Sequence, residues 1–182
     1  MNRTTRATLA LAALGLALSG CTGSSGEDPK PQATPQEKWA QSLCEALEPT
    51  TAAVSPPATD GAATPAESKK EIVKFLRTLR DRLDSQAQVL DEAGAPPEVD
   101  AAAYEKAKKS VADGSQTLQG VIKRLKKADP KNADQMQATL LQVGESLAES
   151  SSYQGPLAEL SASNAELKKA FESDKTCSSI MS

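Results

Sequence analysis

The sequence contains no histidine, and only five of its 182 residues are aromatic: one tryptophan, two tyrosines and two phenylalanines. Without histidine, the chain cannot build a Ser-His-Asp or Cys-His catalytic group, a histidine-ligated zinc site or a histidine-ligated haem. Five aromatic rings are too few to line a typical drug-sized pocket or to stack nucleobases. The formal net charge of −3 argues against a nucleic-acid-binding protein, because such proteins usually carry a basic surplus.

The N-terminal segment has the organisation of an export signal. Arg3 and Arg6 form a positive region, and the apolar run at 7–18 follows it. This run is about a dozen residues long, too short for the ~20 residues of a permanent transmembrane helix. The motif LSGC at 18–21 resembles the lipobox of bacterial lipoproteins, which predicts that residues 1–20 are a lipoprotein signal peptide.

The lipobox resemblance implies that Cys21 receives a diacylglyceryl group through a thioether and that cleavage occurs between Gly20 and Cys21. The new amino terminus is usually acylated as well, for example with palmitate. The alternative is an ordinary secretory signal followed by an unrelated cysteine. In a lipoprotein, removing 20 of 182 residues leaves a mature chain of 162 residues, which loses two arginines and reaches a net charge of −5. The acyl chains must then hold the protein at the extracytoplasmic face of the cell membrane, because this charge is not attracted to an anionic surface.

Two low-complexity segments organise the mature chain. Residues 22–34 (TGSSGEDPKPQAT) predict a flexible tether, so that 21–34 forms a lipidated linker with a reach of roughly 40 Å. Residues 49–64 contain three prolines and predict a long loop inside the folded domain, which we assign to 35–182.

The remainder of the chain carries helix signals. Apolar residues recur with three-four spacing, and no segment shows sustained strand alternation. Capping boxes with proline at the first helical position begin at Thr34 and Thr64, and Gly94 stands where a left-handed C-cap would follow a helix. Helices are predicted at 35–48, 65–93, 97–127, 130–151 and 156–174. The predicted fold is an all-α, antiparallel up-down bundle of about four long helices preceded by a short N-terminal helix.

Asn164 interrupts the apolar stripe of the last predicted helix. A single polar residue at such a position often fixes the register of helix pairing. A buried ligand contact is the alternative, and register is the interpretation that we favour.

Three cysteines are present. The lipobox resemblance assigns Cys21 to the lipid, which leaves Cys44 and Cys177 as an even pair in an oxidising compartment. In an up-down bundle the last helix ends where the helix at 65–93 begins, and Cys44 lies one loop upstream of that place. We therefore predict a Cys44–Cys177 disulfide there. The alternative is a reactive or metal-binding thiol pair, but no neighbour would lower a thiol pKa, and two thiols alone do not form a zinc site.

Two charged groups could have a function. The first is a set of carboxylates on one predicted helix: Asp81, Asp84, Asp91 and Glu92. Three arginines lie among or beside them, Arg77, Arg80 and Arg82, which favours a solvated surface over a catalytic carboxylate pair. The second is a set of lysines and an arginine: Lys106, Lys108, Lys109 and the group at 123–127. They could bind an anionic partner, but no aromatic residue lies among them, which favours solubility and compensation of the helix dipole.

The mature chain is similar to small secreted lipoproteins of actinobacteria. The similarity depends on Trp39, the Leu43-Cys44 pair, Leu47, the alanine-rich helices and the terminal Phe171 and Cys177. It implies no particular activity. We expect no catalytic residue, cofactor or metal, and a non-enzymatic module that binds an unidentified protein or envelope partner. Alternatives are a solute- or lipid-binding lipoprotein with a cavity between the helices, and an envelope hydrolase, against which the missing histidine and nucleophile motifs argue.

Overall fold

A computed structural model describes residues 32–52, 54–57, 64–150 and 154–182. Within them lie seven α-helices: α1 (Pro35–Leu47), α2 (Pro65–Ala93), α3 (Ala101–Lys127), α4 (Ala133–Ser150), α5 (Pro156–Ser163), α6 (Ala165–Ser173) and α7 (Lys175–Met181). A short 3-10 turn, Glu48–Thr50, follows α1. No β-strand occurs in these ranges, so the predicted all-α class is confirmed. The predicted signal peptide, Cys21 and the tether up to residue 31 lie outside the described residues.

The two longest helices, α2 and α3, form an antiparallel hairpin. At about 1.5 Å per residue, the 29 residues of α2 extend over roughly 43 Å. Near the turn between the helices, Lys108 Nζ lies 2.5 Å from Asp91 Oδ1. At the opposite end of the hairpin, where α2 begins and α3 ends and which we call the open end, Lys69 Nζ donates to the Ala128 carbonyl 2.6 Å away. In between, Gly114 lets the helices approach closely, because a Cβ there would lie 3.1 Å from the Leu83 side chain.

Two separate hydrophobic clusters follow one another along the hairpin, one at each end. The cluster near the turn joins α1, α5, α6 and α7 to the facing ends of α2 and α3, and it contains Leu90, Tyr104 and Phe171. The cluster at the open end contains Leu76, Leu125 and Met136, so that α4 alone of the other helices contributes to it. Coverage by α4 is partial, since Leu140 is 39% and Leu141 63% exposed.

Local capping explains most helix boundaries. The predicted capping boxes at Thr34 and Thr64 are both present. Gly94 adopts a positive φ of 66° with an extended ψ of 176°, and this backbone conformation requires glycine. It lies outside the left-handed helical region that a C-cap of the predicted kind would occupy. The predicted starts at 97 and 130 are wrong by three or four residues.

Asparagine and aspartate side chains set these two starts. Asp100 accepts from the Ala102 amide and opens α3, while Asn132 accepts from the Gln135 amide and opens α4. Both side chains satisfy free amides of a first helical turn, which the prolines further upstream cannot do.

The predicted fourth long helix, 156–174, is wrong. In its place are the three short helices α5, α6 and α7, which begin again at Asn164 and Asp174. Asn164 has an extended backbone (φ −149°, ψ 122°), and its Oδ1 accepts from the amides of Glu166 and Leu167 at 2.9 and 3.0 Å. It is therefore an N-cap and not the buried register-fixing residue that we expected.

Substitutions at Asn164 distinguish a cap from a buried polar contact. We expect Asn164→Ala to lower the free energy of unfolding by about 1 kcal/mol, because two amides lose their acceptor. Asn164→Asp keeps the acceptor and places a negative charge at a helix N-terminus, so it should retain or raise stability. Urea denaturation measures both. A loss of several kcal/mol in the aspartate variant would indicate burial in the core and contradict the capping role.

Candidate functional site

The predicted disulfide joins the first helix of the domain, α1, to the last, α7. Cys44 in α1 and Cys177 in α7 are bonded, with their Cα atoms 5.1 Å apart, and both are fully buried. This confirms the predicted pair. Their sulfur atoms are committed to a structural bond, so a free reactive thiol pair is not present at this place.

The position of the bridge differs from the prediction. We expected it at the end of the bundle where α2 begins, but Cys44 and Cys177 pack in the same cluster as Leu90 and Tyr104, at the α2–α3 turn. The reason is the broken C-terminal segment: α5 packs against α3, and α6 and α7 then return onto α1. The chain end therefore stays beside the turn.

Aromatic residues close the cluster around the bridge. Trp39 lies edge-on to Tyr104, with ring centroids 6.2 Å apart, and tilted against Phe171 at 6.3 Å. Trp39 Nε1 donates to the Gly94 carbonyl at 3.2 Å, and the Tyr104 hydroxyl donates to the Leu90 carbonyl. Both polar tips thus bind carbonyls at the end of α2, which lets Tyr104 be buried and Trp39 be partly buried.

Removing the bridge should destabilise the domain without loss of the fold class. The bond closes a segment of 133 residues, for which chain entropy predicts up to about 5 kcal/mol. In a chain carrying Cys21→Ser, we expect reduction to lower the melting temperature by about 10–20 °C. Cys44→Ser and Cys177→Ser should each give a similar decrease, and the double variant should be no worse than either. Widely different single variants would mean that the two cysteines have separate roles.

The Tyr104 hydroxyl should lose its proton at a higher pH than an exposed tyrosine does. Burial raises the pKa of its hydroxyl, with Lys108 acting in the opposite direction. Because the unfolded chain ionises at an ordinary pKa near 10, this contribution to stability is complete below that pH and is lost as the pH rises towards the folded pKa. A Tyr153→Phe chain leaves Tyr104 as its one tyrosine. Its phenolate absorbance should appear at higher pH in the folded protein than in urea, and equal midpoints would contradict the buried hydroxyl.

The residues that could bind a ligand lie at the opposite end of the hairpin. There the first half of α2 and the end of α3 enclose an open cleft of about 600 Å³. We call it the basic cleft, and it is lined by Lys69, Lys70, Lys74, Arg77 and Lys126 together with Ala66, Val73 and Pro130.

One of these cations is already used by the fold. The Lys69 ammonium group donates to the carbonyls of Lys126 and Ala128, at 2.8 and 2.6 Å, and so ties the start of α2 to the end of α3. The side chains of Lys74, Arg77 and Lys126 form neither an ion pair nor a hydrogen bond with any described residue. Lys70 acts electrostatically on Glu67, whose pKa is lowered mainly by a hydrogen bond from Thr64.

The carboxylates considered from the sequence form ordinary surface pairs. Arg80 is paired with Asp81 at 2.5 Å and Asp84 at 3.5 Å, and Asp91 is paired with Lys108. These contacts support the interpretation of the carboxylates as part of a solvated surface. Arg77, which lies near the same acids in the sequence, lines the basic cleft instead.

Charge is separated along the molecule. At the open end, residues 64–82 and 121–150 contain eleven lysines and arginines against seven acids, a local charge of +4. At the disulfide end, residues 33–50, 83–113 and 154–182 contain seven against fourteen, a local charge of −7. A chain that is weakly acidic overall therefore presents a basic end, which its net charge conceals.

A second cleft provides a contrast to the basic cleft. It has a volume of about 610 Å³ and lies between α5, α6 and the chain end. Its lysine, Lys168, is paired with Glu172 at 3.8 Å, so its charge is neutralised internally. Both clefts are open to solvent, and neither is the enclosed apolar cavity that a lipid-binding interior requires.

The described residues contain neither a metal-binding group nor a membrane-spanning helix. No group of three or more cysteine and acidic side chains there could hold a metal ion. None of the helices that they form is long and apolar enough to cross a membrane. Comparisons with protein-family models, with curated proteins and with solved structures gave no significant match to this chain.

Proposed function

We propose that the protein is a lipoprotein anchored through Cys21 at the extracytoplasmic face of the cell membrane, whose helical domain is a non-enzymatic module that binds a component of the envelope. The observation that carries the binding role is the basic cleft, in which Lys74, Arg77 and Lys126 form no ion pair with any described residue. The anchoring role depends on the lipobox at 18–21.

The cations of the basic cleft lie close to one another on α2, although Glu67 and Glu71 stand three residues before Lys70 and Lys74. Lys70 and Lys74 are four residues apart on α2, and Lys74 and Arg77 are three apart, so like charges are neighbours on the helix surface. Such pairs are destabilising by roughly 0.2–0.5 kcal/mol each. Arg80, the next cation on the same helix, has two acidic partners. The helix thus pairs one cation and leaves its neighbours in the cleft available.

Compensation of the helix dipole does not account for these cations either. The last turn of α3 already holds Arg124, Lys126 and Lys127, and Lys69 binds its terminal carbonyls directly. The partial charge of a helix C-terminus is only about −0.5. Lys70, Lys74 and Arg77 on α2 are in excess of that requirement, which supports an external anionic partner.

The tether and the basic cleft are at different ends of the domain. The predicted tether leads into α1 at Pro35, and there Gln36 Nε2 donates to Glu98 Oε2, in the α2–α3 turn, at 2.9 Å. Lys74 precedes the end of α2 by 19 residues, or roughly 30 Å along the helix. The cleft therefore lies at the end of the domain remote from the start of α1.

Binding to the envelope tests the module. The mature chain with Cys21→Ser, which cannot carry the lipid, should sediment with envelope fragments from the cells that produce it. Lys74→Gln with Arg77→Gln should weaken this binding by about tenfold, because two cleft charges are lost. Lys106→Gln with Lys175→Gln is the matched control, since it removes two exposed cations at the disulfide end. Equal binding by all three proteins, or none by the parent, would contradict the proposal.

Metabolic labelling tests the anchor separately. A fatty-acid probe should label the full-length wild type and should not label Cys21→Ser, because the thiol is the site of attachment. The variant should also be released from the membrane fraction. Equal labelling of both proteins would remove the lipoprotein interpretation and leave the binding role of the domain standing.

A further inference from the structure

We infer that the ligand of the basic cleft is a phosphate-bearing anion with at least two negative charges, which is a proposal that rests on the binding function above and specifies its chemistry. The number of cations sets the charge. Lys70, Lys74 and Arg77 approach the cleft from α2 and Lys126 approaches it from α3, so up to four positive charges surround one volume.

The cleft contains both kinds of cation that bind phosphate in proteins. Arg77 carries a planar guanidinium that can bind two oxygens of one phosphate at once, while the lysine ammonium groups act as mobile point charges. All four are exposed at the end of long flexible side chains, so they can converge on oxygens that lie apart, as in two neighbouring phosphate groups.

The shape of the cleft adds an apolar component. Val73 forms part of its wall and is 8% exposed, and Ala66 and Pro130 line it as well. A volume of about 600 Å³ is within the range of sites for small organic ligands and exceeds what a single phosphate would fill. The cleft therefore fits a phosphate joined to a carbon-containing group or to a second phosphate.

Lys69 holds the cleft in this form. Its two hydrogen bonds to the carbonyls of Lys126 and Ala128 bring the end of α3 against α2, which places Lys126 across from the α2 cations. The cations are consequently organised by the helix pairing before any ligand arrives, which lowers the cost of gathering them.

Two sources could supply this chemistry: phospholipid headgroups of the membrane, and soluble or polymer-borne phosphates of the envelope. The shared feature is the phosphate anion, and two probes separate the sources. Inorganic pyrophosphate represents the soluble group. Vesicles of phosphatidylglycerol and phosphatidylcholine in equal parts represent the membrane, with vesicles of phosphatidylcholine alone as the neutral comparison.

The test uses the mature Cys21→Ser chain at low ionic strength. Calorimetric titration with pyrophosphate and co-sedimentation with the vesicles should each be measured for the parent and three double variants. Lys74→Gln with Arg77→Gln changes the cleft. Lys123→Gln with Lys127→Gln removes the same charge at the same end but outside the cleft, and Lys106→Gln with Lys175→Gln removes it at the disulfide end. Melting temperatures confirm that all four chains remain folded.

We expect at least one probe to bind and the cleft variant to bind it about tenfold more weakly, with both control variants within about twofold of the parent. Binding should also weaken as salt is raised, because exposed charges are screened. Pyrophosphate binding alone indicates a soluble or polymer-borne source, and binding to anionic vesicles alone indicates the membrane.

Three results would overturn the inference. If citrate, a carboxylate of comparable charge, binds as tightly as pyrophosphate and the anionic vesicles do not bind, the cleft does not select phosphate. If the control at the same end is as weak as the cleft variant, the effect belongs to the general field of that end. If neither probe binds while envelope fragments still do, the ligand is not a phosphate, although the proposed binding function stands.

Discussion

The antiparallel contact between α2 and α3 is the constraint on which the rest of the structure depends. It is held at one end by Asp91 and Lys108 and at the other by Lys69 and the last carbonyls of α3. Because these helices are much longer than the others, each remaining helix can cover only part of their length. The hairpin therefore has two ends with separate hydrophobic clusters and separate surroundings.

Stabilising interactions are distributed unequally between these ends. The turn end has the disulfide, the aromatic contacts of Trp39 and the cluster that includes α1, α5, α6 and α7. The open end has the smaller cluster and the partial cover of α4, where Leu141 remains 63% exposed. Regions with fewer buried apolar contacts open more readily, so local unfolding should begin near α4 and the basic cleft. Greater local adaptability near the basic cleft is a consequence of this distribution.

Local signals predicted the parts of the fold that local physics decides. Capping boxes and long apolar stripes identified α1, α2 and α3, because a cap and a stripe act within a few residues. Asn164 shows where this approach is ambiguous. An asparagine on a stripe can be buried or can cap a new helix, and its strong N-cap preference was the available signal for the second outcome.

Long-range features were predictable only in part. Counting cysteines identified the Cys44–Cys177 pair, but the end at which it lies depended on how the last three helices turn, which no local pattern records. The basic cleft depended on the same kind of information. Arg77 and Lys126 are 49 positions apart in the chain, and only the register of the hairpin brings them to one volume.

The charge separation coincides with the unequal stabilisation of the two ends. The Cys44–Cys177 bond, the excess of acids and the start of α1 all lie at the disulfide end. The cations of the basic cleft that form no ion pair with a described residue lie at the open end. An acidic end repels an anionic surface and a basic end attracts it, so the field of such a surface tends to turn the basic cleft towards it. The predicted tether, with a reach of roughly 40 Å, would permit that rotation. The disulfide therefore stabilises the end at which α1 begins, and the cations collect at the end that has no such bond.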